Sequence, residues 1–218
     1  MDIIHAIPAA IQLILQNPQD FEQKLDTHLL LTGWSLLIGI VVAFPLGVVA
    51  SRIGWVSLYS LNGAGILRAI PSIALLFLAY PYLGIGFLPA LLALAVLAIP
   101  PILINTSLGF RGVDPAIREA AEGMGMSTWQ VLTRVELPLA TPVAIAGLRT
   151  ATVEVIASAT LATFIGSGGL GDYIAEGLAV LNVPLMVEGA LPVAVLTLIA
   201  ELLLGGTERL TRSYAGVR

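Results

Sequence analysis

Residues 109–140 read GFRGVDPAIREAAEGMGMSTWQVLTRVELPLA, a polar stretch set between two apolar runs. Asp114 followed by Pro115 predicts a helix start, because the carboxylate can accept from a free backbone N–H and proline lacks the N–H that would otherwise go unpaired. From there Ile117, Ala120, Ala121 and Met124 recur at helical spacing, so one face should be apolar to about Met124. Gly123 and Gly125 can end that helix. Ser127 with Gln130 three residues on is a capping-box pattern, and it opens a second short helix with Trp129 and Leu132 on its apolar face. Pro138 then predicts a turn into the next apolar run. The expectation is two short helices bent at a glycine and resting on the cytoplasmic face of a membrane.

On either side of this loop the chain is too apolar for water. Of 218 residues, 57% are hydrophobic and 11% charged, with a mean hydropathy of +0.95, which places the protein in a bilayer. Five apolar stretches, near 28–51, 59–83, 87–110, 139–163 and 185–206, are each long enough to cross about 30 Å of hydrocarbon. They are too long, and alternate too little, to be barrel strands. A bundle tolerates Pro45, Pro71, Pro100 and Pro101 inside them. Ile3 to Leu15 is apolar on one side but too short to span, so a helix on the outer interface is expected, with a sixth span as the alternative. The fold class is all-α and polytopic: an outer interfacial segment at 1–27, a transmembrane domain at 28–206 containing the loop 112–138, and a cytoplasmic tail at 207–218.

Arginines set the orientation. Arg52, Arg111, Arg118, Arg134, Arg149, Arg209, Arg212 and Arg218 all fall on the cytoplasmic side if five spans start from an outside N-terminus. The opposite segments 84–86 and 164–184 hold no Lys or Arg, and the outer N-terminal segment has only Lys24. The chain opens on Asp2 rather than a basic region, so no cleaved signal peptide is expected. The location is therefore a cell membrane, inner or plasma, with the N-terminus outside and the C-terminus in the cytoplasm.

Several classes of function are excluded. With no cysteine there is no disulfide framework, thiolate metal site or Cys nucleophile. His5 and His28 lack a third ligand nearby and read as interfacial residues, so no metal site is expected. A formal charge of −4 argues against a nucleic-acid partner. No nucleophile–base pair marks a catalytic residue, no cofactor is implied, and no G-x-x-x-x-G-K-[ST] loop would bind ATP. A secondary carrier would not need a docking loop and would more readily show internal repeats. Residues 166–171, GSGGLG, match a dinucleotide pattern but follow an apolar span rather than a strand. Gly166, Gly168, Gly169 and Gly171 instead suggest a turn or re-entrant segment at the outer end of the fourth span, able to move with a gate.

Two charges fall inside apolar runs, Arg68 and Glu154, at a cost of about 2.5–3.5 kcal/mol each on insertion scales. The readings stay open: they line a path, or they pair with each other, or Arg68 snorkels to the cytoplasmic surface. Pro71 and Ser72 either place polar groups at mid-membrane depth or mark a packing kink. Asn62, Asn105, Thr106 and Ser107 are equally suited to bonding between helices. Tyr80 and Tyr82 read as interface anchors.

The loop also carries a resemblance. Glu119-Ala120-Ala121, three residues, Gly125, nine residues, then Val135-Glu136-Leu137-Pro138 is similar to the EAA loop of ABC importer permeases, with Val135 where isoleucine is usual. The resemblance implies a type I importer permease of the methionine-permease (MetI-like) fold. In that family the loop is a coupling helix docked on a separate ATPase. Glu119, Ala120, Ala121, Gly125, Leu137 and Pro138 would carry that contact here. The stretches PLGVVASR (45–52), LRAIPSIALL (67–76) and GLRTATVEVIASATLATFIGSGGLGDYIAEGL (147–178) resemble the branch that imports glycine betaine, choline, carnitine and related osmoprotectants. The implied partners are ABC ATPase subunits, a separate substrate-binding protein, since the chain ends at Arg218, and a second permease subunit, identical or paralogous. The cargo alternative is another small solute such as an amino acid.

Overall fold

The computed structural model describes residues 3–214; Asp2, Arg218 and the side chain of His5 lie outside the described residues. Among those described, every regular element is helical. Helix α1 (Ile3–Gln16) has 14 residues, about 21 Å at 1.5 Å per residue, shorter than the hydrocarbon core. Pro18 opens α2 (Pro18–Arg52) at the first-turn position proline tolerates, with Asp20 beside the positive end of the helix and Arg52 at its negative end.

Four helical stretches are long and apolar enough to cross a bilayer: α2, α5 (Phe87–Arg111), Thr128–Ala159, and Val183–Ser213 of α10 (Val183–Tyr214). The fifth candidate, expected over 59–83, is a bent pair of helices. Helices α3 (Gly54–Ala69) and α4 (Ser72–Leu83) meet at a bend of 99°. Pro71 causes it: its backbone is extended at φ −57 and ψ 136, and its ring disfavours the helical conformation at Ile70.

The expectation at Pro138 is also corrected. After helix α6 (Pro115–Gly123) and a short turn, α7 (Thr128–Val131), a π-helical turn over Leu132–Glu136 and α8 (Leu137–Ala159) follow one another without a break. The wider turn bonds the Leu137 N–H to the Leu132 carbonyl, five residues back, and so carries the helix past the proline. A short 3-10 turn over Leu161–Ile165 and helix α9 (Gly171–Ala179) precede α10.

The chain divides into two compact units. One takes residues 3–38, Ile70–Leu97 and Thr152–Ile199; the other takes Gly39–Ala69, Ala98–Ala151 and residues 200–214. In the second, α5 meets its neighbours at small residues. A Cβ at Gly47 would lie 2.7 Å from Thr106 Cβ, one at Gly109 2.8 Å from the Ala140 carbonyl oxygen, and one at Gly147 2.5 Å from Asn105 Cβ. Close backbone approach substitutes for the hydrophobic drive that lipid cannot supply. Asn105 itself donates to Pro101 O of its own helix at 2.9 Å, not to a neighbour. In the first unit, Ser35 Oγ donates to Leu91 O at 3.0 Å.

Candidate functional site

The loop 112–138 is ordered by local bonds that its sequence prescribes. Asp114 Oδ1 accepts from Ala116 N at 2.8 Å and starts α6. Gly125 has φ +84, the left-handed conformation that lets Met126 N reach back to Ala121 O at 3.2 Å and close the helix end. Both halves of the capping box form: Gln130 Oε1 accepts from Ser127 N at 2.8 Å and Ser127 Oγ from Gln130 N at 3.4 Å.

The single apolar face expected on α6 is divided. Ala121 is buried, whereas Glu119, Ala120 and Ile117 are exposed, Met124 is 73% exposed and, from α7, Trp129 70%. Large apolar side chains held at the surface by capped helices mark a contact with another protein or with the membrane. Leu137 lines an apolar cavity with Ile40, Phe44, Ile102 and Thr106, and Pro138 is exposed beside it.

Glu136, a spacer in the motif, is the residue that sequence reasoning missed. It is buried, and its carboxylate takes two arginines: Arg52 Nη2 on Oε2, and Arg118 Nε on Oε1 at 2.5 Å. Arg118 also donates to Phe110 O at 3.0 Å. Arg111 donates to Ala50 O at 2.9 Å and to Ser57 Oγ. A buried carboxylate needs such partners, since leaving it unpaired costs several kcal/mol. The available signal was a glutamate beside a span end in a chain whose arginines cluster at the same depth.

The glycine-rich segment belongs to the first unit. Gly166, Gly168 and Gly169 have φ of +73, +76 and +102, and a Cβ at Gly171 would stand 2.2 Å from the Thr160 carbonyl oxygen. His28, expected at an interface, is fully buried against Gly169. Thr163 Oγ1 donates to Asp172. Buried Tyr173 donates to Asp20 Oδ2 at 2.7 Å, with Lys24 Nζ 3.9 Å above its ring and 3.4 Å from Asp20. Burial, then the Asp20 carboxylate, pushes the Tyr173 phenol up, so it remains a donor. No motif links these residues in sequence.

Of the charged and broken positions, Arg68 is exposed in the last turn of α3, within the second unit. Pro71, Ser72 and half-buried Glu154 belong to the first. The structure adds Arg149, read from sequence only as an orientation marker. Its Nε lies 3.5 Å from Glu201 and its Nη1 3.1 Å from Glu208, crossing α10 at Gly205, where a Cβ would sit 3.4 Å from the guanidinium.

Comparison with known proteins agrees with this architecture. The chain is 44% identical over 93% of its length to the carnitine transport permease protein OpuCB of Listeria monocytogenes, covering 94% of that protein. It is 41% identical over 88% of its length to the glycine betaine/carnitine/choline transport system permease protein OpuCB of Bacillus subtilis, covering 89% of it. It shares its fold with a chain of the inward-facing MetNI methionine ABC transporter, at a TM-score of 0.78 and 22% identity over 90% of this chain and 98% of that one. Residues 35–213 match the model of the binding-protein-dependent transport system inner membrane component, and the chain belongs to that family as a multi-pass transport permease.

Proposed function

We propose that this permease imports a quaternary ammonium osmoprotectant (glycine betaine, choline or carnitine), received from a separate substrate-binding protein. Relatives named for those solutes, matched along nine-tenths of the chain, support the cargo. The observation that carries the mechanism is the exposed apolar surface of the capped loop, with Met124 and Trp129 outward and Glu119 and Ala120 beside them. That surface docks an ABC ATPase subunit, which hydrolyses ATP; Gly125 sets the angle between α6 and α7, while Ala121, Leu137 and Pro138 join the loop to the spans.

Five candidate spans are too few to enclose a solute path, so a second permease subunit, identical or paralogous, completes it across a two-fold axis. The N-terminus lies outside and the C-terminus in the cytoplasm, an orientation the arginine distribution supports. Arg68, Pro71, Ser72 and Glu154 belong to the path, and Gly166, Gly168, Gly169 and Gly171 to the turn beside its outer gate.

Reconstitution with candidate ATPase and binding proteins tests this, with labelled betaine, choline, carnitine and an unrelated amino acid as probes. ATP-dependent uptake of one or more of the three ammonium solutes, but not of the amino acid, is expected. Uptake that persists without the ATPase sinks the proposal. Glu154→Gln should slow choline, a cation, more than zwitterionic betaine; equal effects remove Glu154 from substrate contact.

A further inference from the structure

We infer that Glu136 is a positioning residue which makes the docking helix α6 and the adjoining ends of α2 and α8 move as one body. The inference rests on the reading of the loop as a coupling element and names how its displacement reaches the spans.

Three elements converge on one buried carboxylate. Glu136 begins at the root of α8, Arg52 is the last residue of α2, and Arg118 lies in α6 directly before Glu119. Each oxygen of Glu136 takes a different arginine, so the two guanidinium groups are held to each other only through it. Arg118 is held a second time by the Phe110 carbonyl in α5. Local order in the loop comes from its own caps and does not need this contact. The contact is therefore surplus to folding the loop and sufficient to tie it down. Burial strengthens the tie, because a carboxylate shielded from water cannot exchange its arginines for solvent at low cost. The π turn ends on this residue, a wide turn of the kind that recurs at functional sites.

The chain has no cysteine, so a spin-label pair can be placed without background at the exposed positions Ile53 and Glu122 through Ile53→Cys and Glu122→Cys. These flank the clamp on the α2 and α6 sides. The label-to-label distance is read in vesicles, with and without the ATPase and ATP–vanadate, in wild type, Glu136→Gln and Glu136→Asp. In wild type a narrow distribution is expected in every state. Glu136→Gln should broaden it even without the ATPase, and should lower solute moved per ATP hydrolysed about tenfold, within the usual range for coupling between sites. Glu136→Asp, which keeps the charge, should recover part of both.

A Glu136→Gln variant with an unchanged distribution and an unchanged transport-to-hydrolysis ratio overturns the inference. Where Glu136→Gln fails to assemble, Arg118→Lys takes its place; it keeps the charge but loses the planar double contact. Arg118→Lys behaving as wild type in both readouts overturns the inference equally. Absence of ATP-driven uptake in wild type is a separate failure, that of the proposed function, because the distance measurement does not depend on transport.

Discussion

At Gly171 an added methyl group would lie 2.2 Å from the Thr160 carbonyl oxygen, while at Gly125 it would meet nothing within 4 Å. Both glycines mark irregular segments, yet physics demands them for different reasons. At Gly171 main chain is packed on main chain, and the surrounding residues Leu170, Tyr173 and Gly177 are buried. At Gly125 the backbone conformation alone requires glycine, and the space around it is open. One segment is filled by its own chain; the other leaves its surface open.

Substitutions should separate the two. Gly171→Val forces backbone apart and is expected to cost about 3 kcal/mol, lowering the unfolding midpoint of the purified protein by about 6–12 °C. A midpoint unchanged by this substitution breaks the comparison. Gly125→Leu carries only left-handed strain, about 1–2 kcal/mol, so the subunit should still insert and assemble. Its uptake per ATP should fall far more than its midpoint, and loss of insertion would place Gly125 in the same structural class as Gly171. Tyr173→Phe removes one bond to Asp20, at about 1 kcal/mol and about 2–4 °C, with uptake retained. Lost uptake at an unaltered midpoint would make the Tyr173 cluster part of the transport machinery.

What was legible in the chain was what acts over a few residues or by bulk transfer. The apolar runs announced the spans, and Asp114, Ser127 and Gln130 announced the caps, because each bond closes within three residues. Pro71 announced a break but not its 99°. Pro138 was read as a turn because sequence rules assume an α-helical interior, and a π turn escapes them. The Glu136 clamp, Arg149 over Gly205, and Tyr173 with Asp20 were invisible, since their partners are distant in sequence and meet only after the helices pack. Ile117 and Met124 shared a helical face with Ala121 on paper; docking of α6 through Ala121 left them outside.

The π turn at Leu132–Glu136 has one consequence for how the loop meets the span. A π turn holds one residue more than the α turn it replaces. Deleting a single residue there would leave an unbroken α-helix while rotating everything before it about a quarter of a turn or more relative to α8. A one-residue deletion there would thus turn α6 and α7 on the end of α8 and draw Arg118 off the Glu136 carboxylate, so the extra residue of the wide turn sets the register in which the two meet.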